Sequence, residues 1–193
     1  MSEEHLIENV ADVYRYELEF LLENIEKNNS DFWSRSLIRT AVAFFESEIY
    51  VLKQDLLDYC ARSAIQLDPS EVHALKGIRF DLKENGQLAE KPLNATLKSE
   101  IKFALNKVCE VRGFYLDESF ESVGWQNVLK TISVRHRITH PKVLSDQYVK
   151  ASEIDECWSA IVWFEQMTGG FLLQEAERLD RALGEQEARE RDA

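Results

Sequence analysis

An all-α fold is what this sequence predicts: an antiparallel helical bundle of about five main helices, the first, second and last of them long. Three observations predict it. Seven glycines and three prolines are too few to break 193 residues into short elements. Apolar residues recur in steps of three and four over long stretches, the repeat of a helix with one buried face. No internal repeat, low-complexity linker or composition break divides the chain, so one domain over residues 1–185 is expected, followed by a frayed tail at 186–193.

The first helix is expected from Glu3 to about Lys27, with Leu6, Val10, Val13, Leu18, Leu21 and Ile25 along its apolar face. The polar run Lys27–Asp31 interrupts it, and Ser30 or Asp31 can cap the next helix. That second helix should reach about Ser63, because Ile38, Val42, Phe45, Ile49, Leu52 and Leu56 alternate steps of four and three. Its length suits antiparallel pairing with the first. Residues 66–95 read as an irregular or hairpin insertion: Ser70 to Lys76 as a short helix ended by Gly77, and the stretch around Asn85-Gly86 as a small hairpin. Order returns at Thr96, after which Ile101, Leu105, Val108 and Val111 make one helical face that stops at Gly113. Beyond a connector containing Asp117, a further helix carries Trp125, Val128, Leu129 and Ile132. The last helix should begin near Ser145 or Ser152 and run to roughly Leu183, with Gly169-Gly170 allowing a kink or the close approach of a neighbouring helix.

A formal net charge of −12 argues against binding nucleic acid or membrane through the whole surface, while leaving room for a local basic site. No apolar run approaches the roughly 18 residues of a membrane span, so no membrane partner is expected. The acidic start MSEEHLIENV is the opposite of a secretory signal. Cys60, Cys109 and Cys157 are an odd number at wide spacing, which suits buried thiols in a reducing cytoplasm and makes neither a disulfide framework nor a zinc pattern.

One stretch departs from the acidic background. Between Glu121 and Asp146 there is no carboxylate, while Lys130, Arg135, Arg137 and Lys142 all fall there, together with His136 and His140. A negatively charged group, from a ligand or from the protein itself, should face this window. On a helix wheel Val128, Leu129 and Ile132 form the buried face, His136 continues it, and Arg135 lies about 70° from its centre. His140 precedes Pro141, and a residue before proline avoids helical angles, so the helix should end at or just before His140. That end frees His140 to turn back toward the arginine. A guanidinium beside an imidazole suits phosphate chemistry, since one grips phosphate oxygens with a fixed charge and the other exchanges a proton near neutrality. No Gly-rich phosphate loop and no paired metal-binding carboxylates point to another phosphate mechanism. Two plainer readings use the same residues. Cations at a helix C-terminus are favoured by its orphan carbonyls, with the arginine paired to a carboxylate such as Glu46. His136 and His140 are also four apart, as zinc ligands can be, but local spacing offers no third ligand.

Arg135, four intervening residues and His140 resemble the R-x4–6-H motif of the HEPN superfamily. His136 suits the polar position after the arginine, and the aromatic-Glu step Phe45-Glu46 in AVAFFESEIYVL is similar to one in related helices of that superfamily. The resemblance implies a metal-independent endoribonuclease without cofactor or resident metal, of the kind that serves as a toxin or a phage-defence effector. It implies a cytoplasmic homodimer lining one cleft with two motifs, with RNA as substrate and a possible cognate antitoxin as partner. Arg135 and His140 would be the catalytic pair, with His136 supporting and Glu46 orienting one of them. Lys130, Arg137 and Lys142 would bind the substrate. The alternative is a non-catalytic binding or assembly module whose basic patch takes an acidic partner or a nucleotide.

Overall fold

The computed structural model describes residues 9–28 and 30–191. Among them six α-helices, one hairpin and one 3-10 turn follow in the order α1 (Val10–Asn28), α2 (Asp31–Arg62), α3 (Pro69–Lys76), β1 (Ile78–Leu82), β2 (Leu88–Pro92), α4 (Leu97–Arg112), α5 (Val123–Thr139), the turn Leu144–Gln147, and α6 (Ala151–Arg191). The fold is all-α. The expected first turns of α1, from Glu3 to Glu8, lie outside the described residues.

α2 is the central helix, touching α1, α3, α4, α5 and α6. Leu37, Ile38, Ala41, Phe44, Phe45, Ile49 and Leu56 on α2 are almost wholly buried, a stripe wide enough to serve several neighbours. Phe45 stacks on Phe164 of α6 with ring centroids 4.7 Å apart, and Phe44 meets the same ring edge-on at 6.1 Å. α2 ends as its hydrogen bonding dictates: Ala64 takes a left-handed φ of 53° and Ile65 N–H donates back to Cys60 O at 2.9 Å.

Residues 66–95 fold as the sequence suggests. Asp68 and Glu71 form a capping box at the start of α3, and Gly77 closes it at φ 68°. β1 and β2 pair antiparallel in the register Ile78↔Pro92 to Leu82↔Leu88, around a turn in which Gly86 has φ 76°. Buried Lys107 of α4 donates to Glu71 at 2.5 Å and to Glu110 at 2.6 Å, tying this excursion to the bundle. Lys53 of α2, likewise buried, donates to Glu100 at 2.7 Å.

α5 turns a different face inward from the one its apolar residues suggest. Its buried positions are Trp125, Asn127, Val128, Thr131, Val134 and Ile138, whereas Leu129 and Ile132 are half-buried and His136 is exposed. The buried stripe is therefore rotated by about one residue, roughly 100° on a helix, and His136 does not continue it. The cause is polar satisfaction. Thr131 Oγ1 donates to Asn127 O at 2.8 Å and Asn127 Nδ2 donates to Ser159 Oγ of α6 at 3.1 Å, so both residues are buried without an orphaned polar group.

α6 runs through Gly169-Gly170 without a break. The close neighbour there is the α4–α5 connector and not a helix, since a Cβ on Gly170 would stand 2.7 Å from Asp117 Oδ2. The helix also continues to Arg191, through part of the segment expected to fray. Glu177 with Arg181 and Glu185 with Arg189 stand four apart along it, a spacing that supports an exposed helix. Burial pushes the Cys157 thiol up to about 12, so it behaves as a small hydrophobe. Among the described residues no helix is long and apolar enough to cross a membrane.

One charged seam joins α1, α2 and α6. Arg15 donates to Asp12 and to Glu48, both at 2.6 Å, and lies 3.7 Å from Glu165. Burial nevertheless pushes the Glu48 carboxyl above its ordinary range, with Arg15 opposing and Asp12 and Glu165 reinforcing the rise, and burial does the same to Glu165. A carboxyl raised in the folded state binds more protons there than in the unfolded chain, so stability falls as pH climbs from the ordinary glutamate value of about 4.3 through the raised one. Glu48→Gln should therefore raise the thermal midpoint near neutral pH, with a gain that shrinks as pH is lowered toward that value. A gain that is absent at neutral pH, or that grows on acidification, would contradict this account of the seam.

Candidate active site

The C-terminal turn of α5 is shaped by His140-Pro141. His140 leaves the helix at φ −123° and ψ 59°, while its backbone N–H still donates to His136 O at 3.0 Å. Its ring lies beside that of His136, four residues earlier, with centroids 5.1 Å apart and planes tilted by 56°. Both histidines are exposed, and neither side chain makes a hydrogen bond or ion pair among the described residues. Arg135 sits one residue before this pair and is half-buried. Its guanidinium has no carboxylate partner and no hydrogen bond to His140 among the described residues. A free guanidinium and two free imidazoles thus share the last turn of one helix.

The other expected site residues are placed less simply. Glu46 is exposed on α2 and makes no ion pair with Arg135. Arg137 holds Glu153 of α6 through two bonds of 2.9 and 2.7 Å and donates to Tyr148 O at 2.8 Å. Lys130 donates to Glu156 of α6 at 2.6 Å. The acid-free window is therefore faced, over two of its four cations, by carboxylates of α6. Lys142 is exposed; its backbone N–H and that of Val143 donate to Asp146 Oδ2 at 2.7 and 3.1 Å, bonds that hold the Asp146 carboxyl below its ordinary range.

Two arginines that composition did not single out join the same corner. Arg39 of α2 donates to Ile138 O at 3.4 Å, an oxygen that also accepts from Gln147 Nε2 at 3.1 Å. Arg35, one turn earlier on α2, donates to Gln147 O at 3.3 Å. One orphan carbonyl of the α5 terminus, Ile138 O, is thus met by a cation of another helix, and Arg35 holds the turn that follows. The spacing of Arg35 and Arg39, four apart on one helix face, is the only signal in the sequence that could have found them. Among the described residues no three His, Cys, Asp or Glu side chains gather as metal ligands, so His136 and His140 stand without a third.

Chemically, this corner can bind an anion through uncommitted guanidinium donors and exchange protons through two solvent-reachable imidazoles. No protein-family model, curated protein or solved structure matches the chain.

Proposed function

We propose that the chain is a metal-independent endoribonuclease of HEPN type, acting at the end of α5. The observation that carries it is the pair of exposed imidazoles 5.1 Å apart, next in sequence to an arginine with no carboxylate partner among the described residues. In the proposed step the 2′-hydroxyl oxygen of RNA attacks the adjacent phosphorus and the bond from phosphorus to the 5′-oxygen breaks. One imidazole takes the 2′-hydroxyl proton and the other gives a proton to the departing 5′-oxygen. His140 is the principal proton carrier and His136 supports it. Arg135 steadies the charge that builds on the phosphoryl oxygens, a task for a donor that never loses its charge. A homodimer bringing two helix ends to one cleft, a cognate antitoxin, and a toxin or phage-defence role in the cytoplasm belong to the same proposal.

A second reading has its own observation. Arg137–Glu153 and Lys130–Glu156 dock α5 on α6, so part of the basic window serves packing. That favours a non-catalytic module binding an acidic partner or nucleotide through what remains. The two separate on incubation of mixed-sequence RNA with the purified chain in EDTA. The ribonuclease should produce fragments with 2′,3′-cyclic phosphate and 5′-hydroxyl ends. Intact RNA throughout, with no growth defect on expression, would leave the binding module as the better account.

A further inference from the structure

We propose that Arg35 and Arg39 of α2 form a phosphate-binding subsite that holds the RNA strand beside the His136–His140 pair. The proposal deepens the ribonuclease reading, on which it rests for the identity of the strand.

The geometry starts from α2. Residues four apart rise about 6 Å along a helix and lie on nearly the same face. Arg39 is exposed and Arg35 half-buried, and each spends one terminal nitrogen on a carbonyl, Ile138 O and Gln147 O respectively. Neither makes an ion pair among the described residues, and Asp31, one turn before Arg35, does not bind it. A guanidinium has five N–H donors, so the carbonyl contacts orient each group and leave most donors for a ligand. The Ile138 carbonyl lies within the backbone span from His136 to His140, which puts Arg39 at the same helix end as the two imidazoles.

Nearby acids are already engaged. Asp146 accepts from the Lys142 and Val143 N–H groups, and Glu153 accepts from Arg137 and from Lys150 N–H. In a chain of net charge −12, these two arginines have no carboxylate partner among the described residues and keep donors open beyond their carbonyl bonds, which a phosphate backbone can fill. The strand should be single-stranded, because attack in line with the departing oxygen needs a nucleotide free to leave helical geometry. Arg35 and Arg39 therefore replace Arg137 and Lys130 as the main substrate cations, since α6 carboxylates already hold the latter pair.

The test uses a fluorescently labelled, mixed-sequence oligoribonucleotide with 2′-O-methyl groups, which cannot undergo the 2′-hydroxyl attack. Its affinity is measured against salt concentration. The double variant Arg35→Gln/Arg39→Gln keeps a donor for each carbonyl but removes both charges. It should bind more weakly, with a salt slope smaller by about 1.4, or about 0.7 for each phosphate of a single strand that is no longer neutralised. Arg35→Lys/Arg39→Lys should restore the slope, which a purely structural role would not do. Affinity and slope unchanged in the glutamine variant would overturn the subsite, as would an equal loss in the lysine variant. If wild type binds in this arginine-dependent way yet leaves ordinary RNA uncut, the nuclease reading fails and the subsite stands. If wild type cuts RNA and the glutamine variant binds the probe as wild type does, the subsite alone fails. No binding by wild type sinks the subsite outright.

Discussion

Replacing His140 with alanine is expected to slow RNA cleavage about 10²- to 10⁴-fold, the usual contribution of a positioned proton-transfer group. Its stability should barely change. The ring is exposed and makes no side-chain hydrogen bond among the described residues, and such surface substitutions usually stay within about 0.5 kcal/mol. The structural tie at this position is the backbone N–H to His136 O, which alanine keeps. Rate and fold are thus separable in one variant, read by a cleavage time course beside a thermal melt. If His136 and His140 divide the acid and base roles, the wild-type rate should also pass through a maximum with pH. A variant that melts like wild type and cuts RNA at an undiminished rate would remove His140 from the chemistry.

Gly124→Val should produce the largest loss of stability. A Cβ at Gly124 would lie 2.1 Å from Trp163 Cδ1, 2.3 Å from Cγ and 2.7 Å from Cβ. The indole cannot swing aside. Trp163 is 3% exposed and its ring packs 5.7 Å from that of Trp125, so relief requires α5 to shift off α6. Overpacking of this kind costs about 3 kcal/mol or more, and the thermal midpoint should fall by about 6–12 °C in a domain of this size. Two other glycines calibrate the effect. Gly170→Ala meets only the mobile end of the Asp117 side chain and should cost less. Gly169→Ala meets nothing within 4 Å and, inside a helix, should gain up to about 1 kcal/mol. A Gly124→Val protein that melts with wild type would mean that α5 and α6 do not pack through Trp163.

Several features of the site were legible in the chain. Pro141 fixes where α5 ends, because the residue before a proline resists helical angles. The two histidines meet because residues four apart on a helix are neighbours, and the expected turn of His140 toward Arg135 gives no hydrogen bond between them among the described residues. Gly77 and Gly113 stop their helices for equally local reasons, each with a left-handed φ near 70°. The inward face of α5 was not legible in this way. Hydropathy sees Leu129 and Ile132 as core, yet Thr131 and Asn127 are buried in preference because each finds a hydrogen-bond partner. The partner of Asn127, Ser159 of α6, is 32 residues away and lies outside any window of sequence periodicity.

The sequence by itself determined that the chain is a helical bundle, where α3, α4 and α5 stop, and that an arginine and two histidines gather at one helix end in a window free of carboxylates. Those are properties of backbone preference and short-range spacing, which neighbours along the chain settle. Only the tertiary structure decided which cations remain free. Arg137 and Lys130 are neutralised by residues 16 and 26 positions away on α6. Arg39 and Arg35 arrive from 99 and 112 positions away on α2. Charge acts through space, so the sign of a site depends on which helices the core has packed side by side.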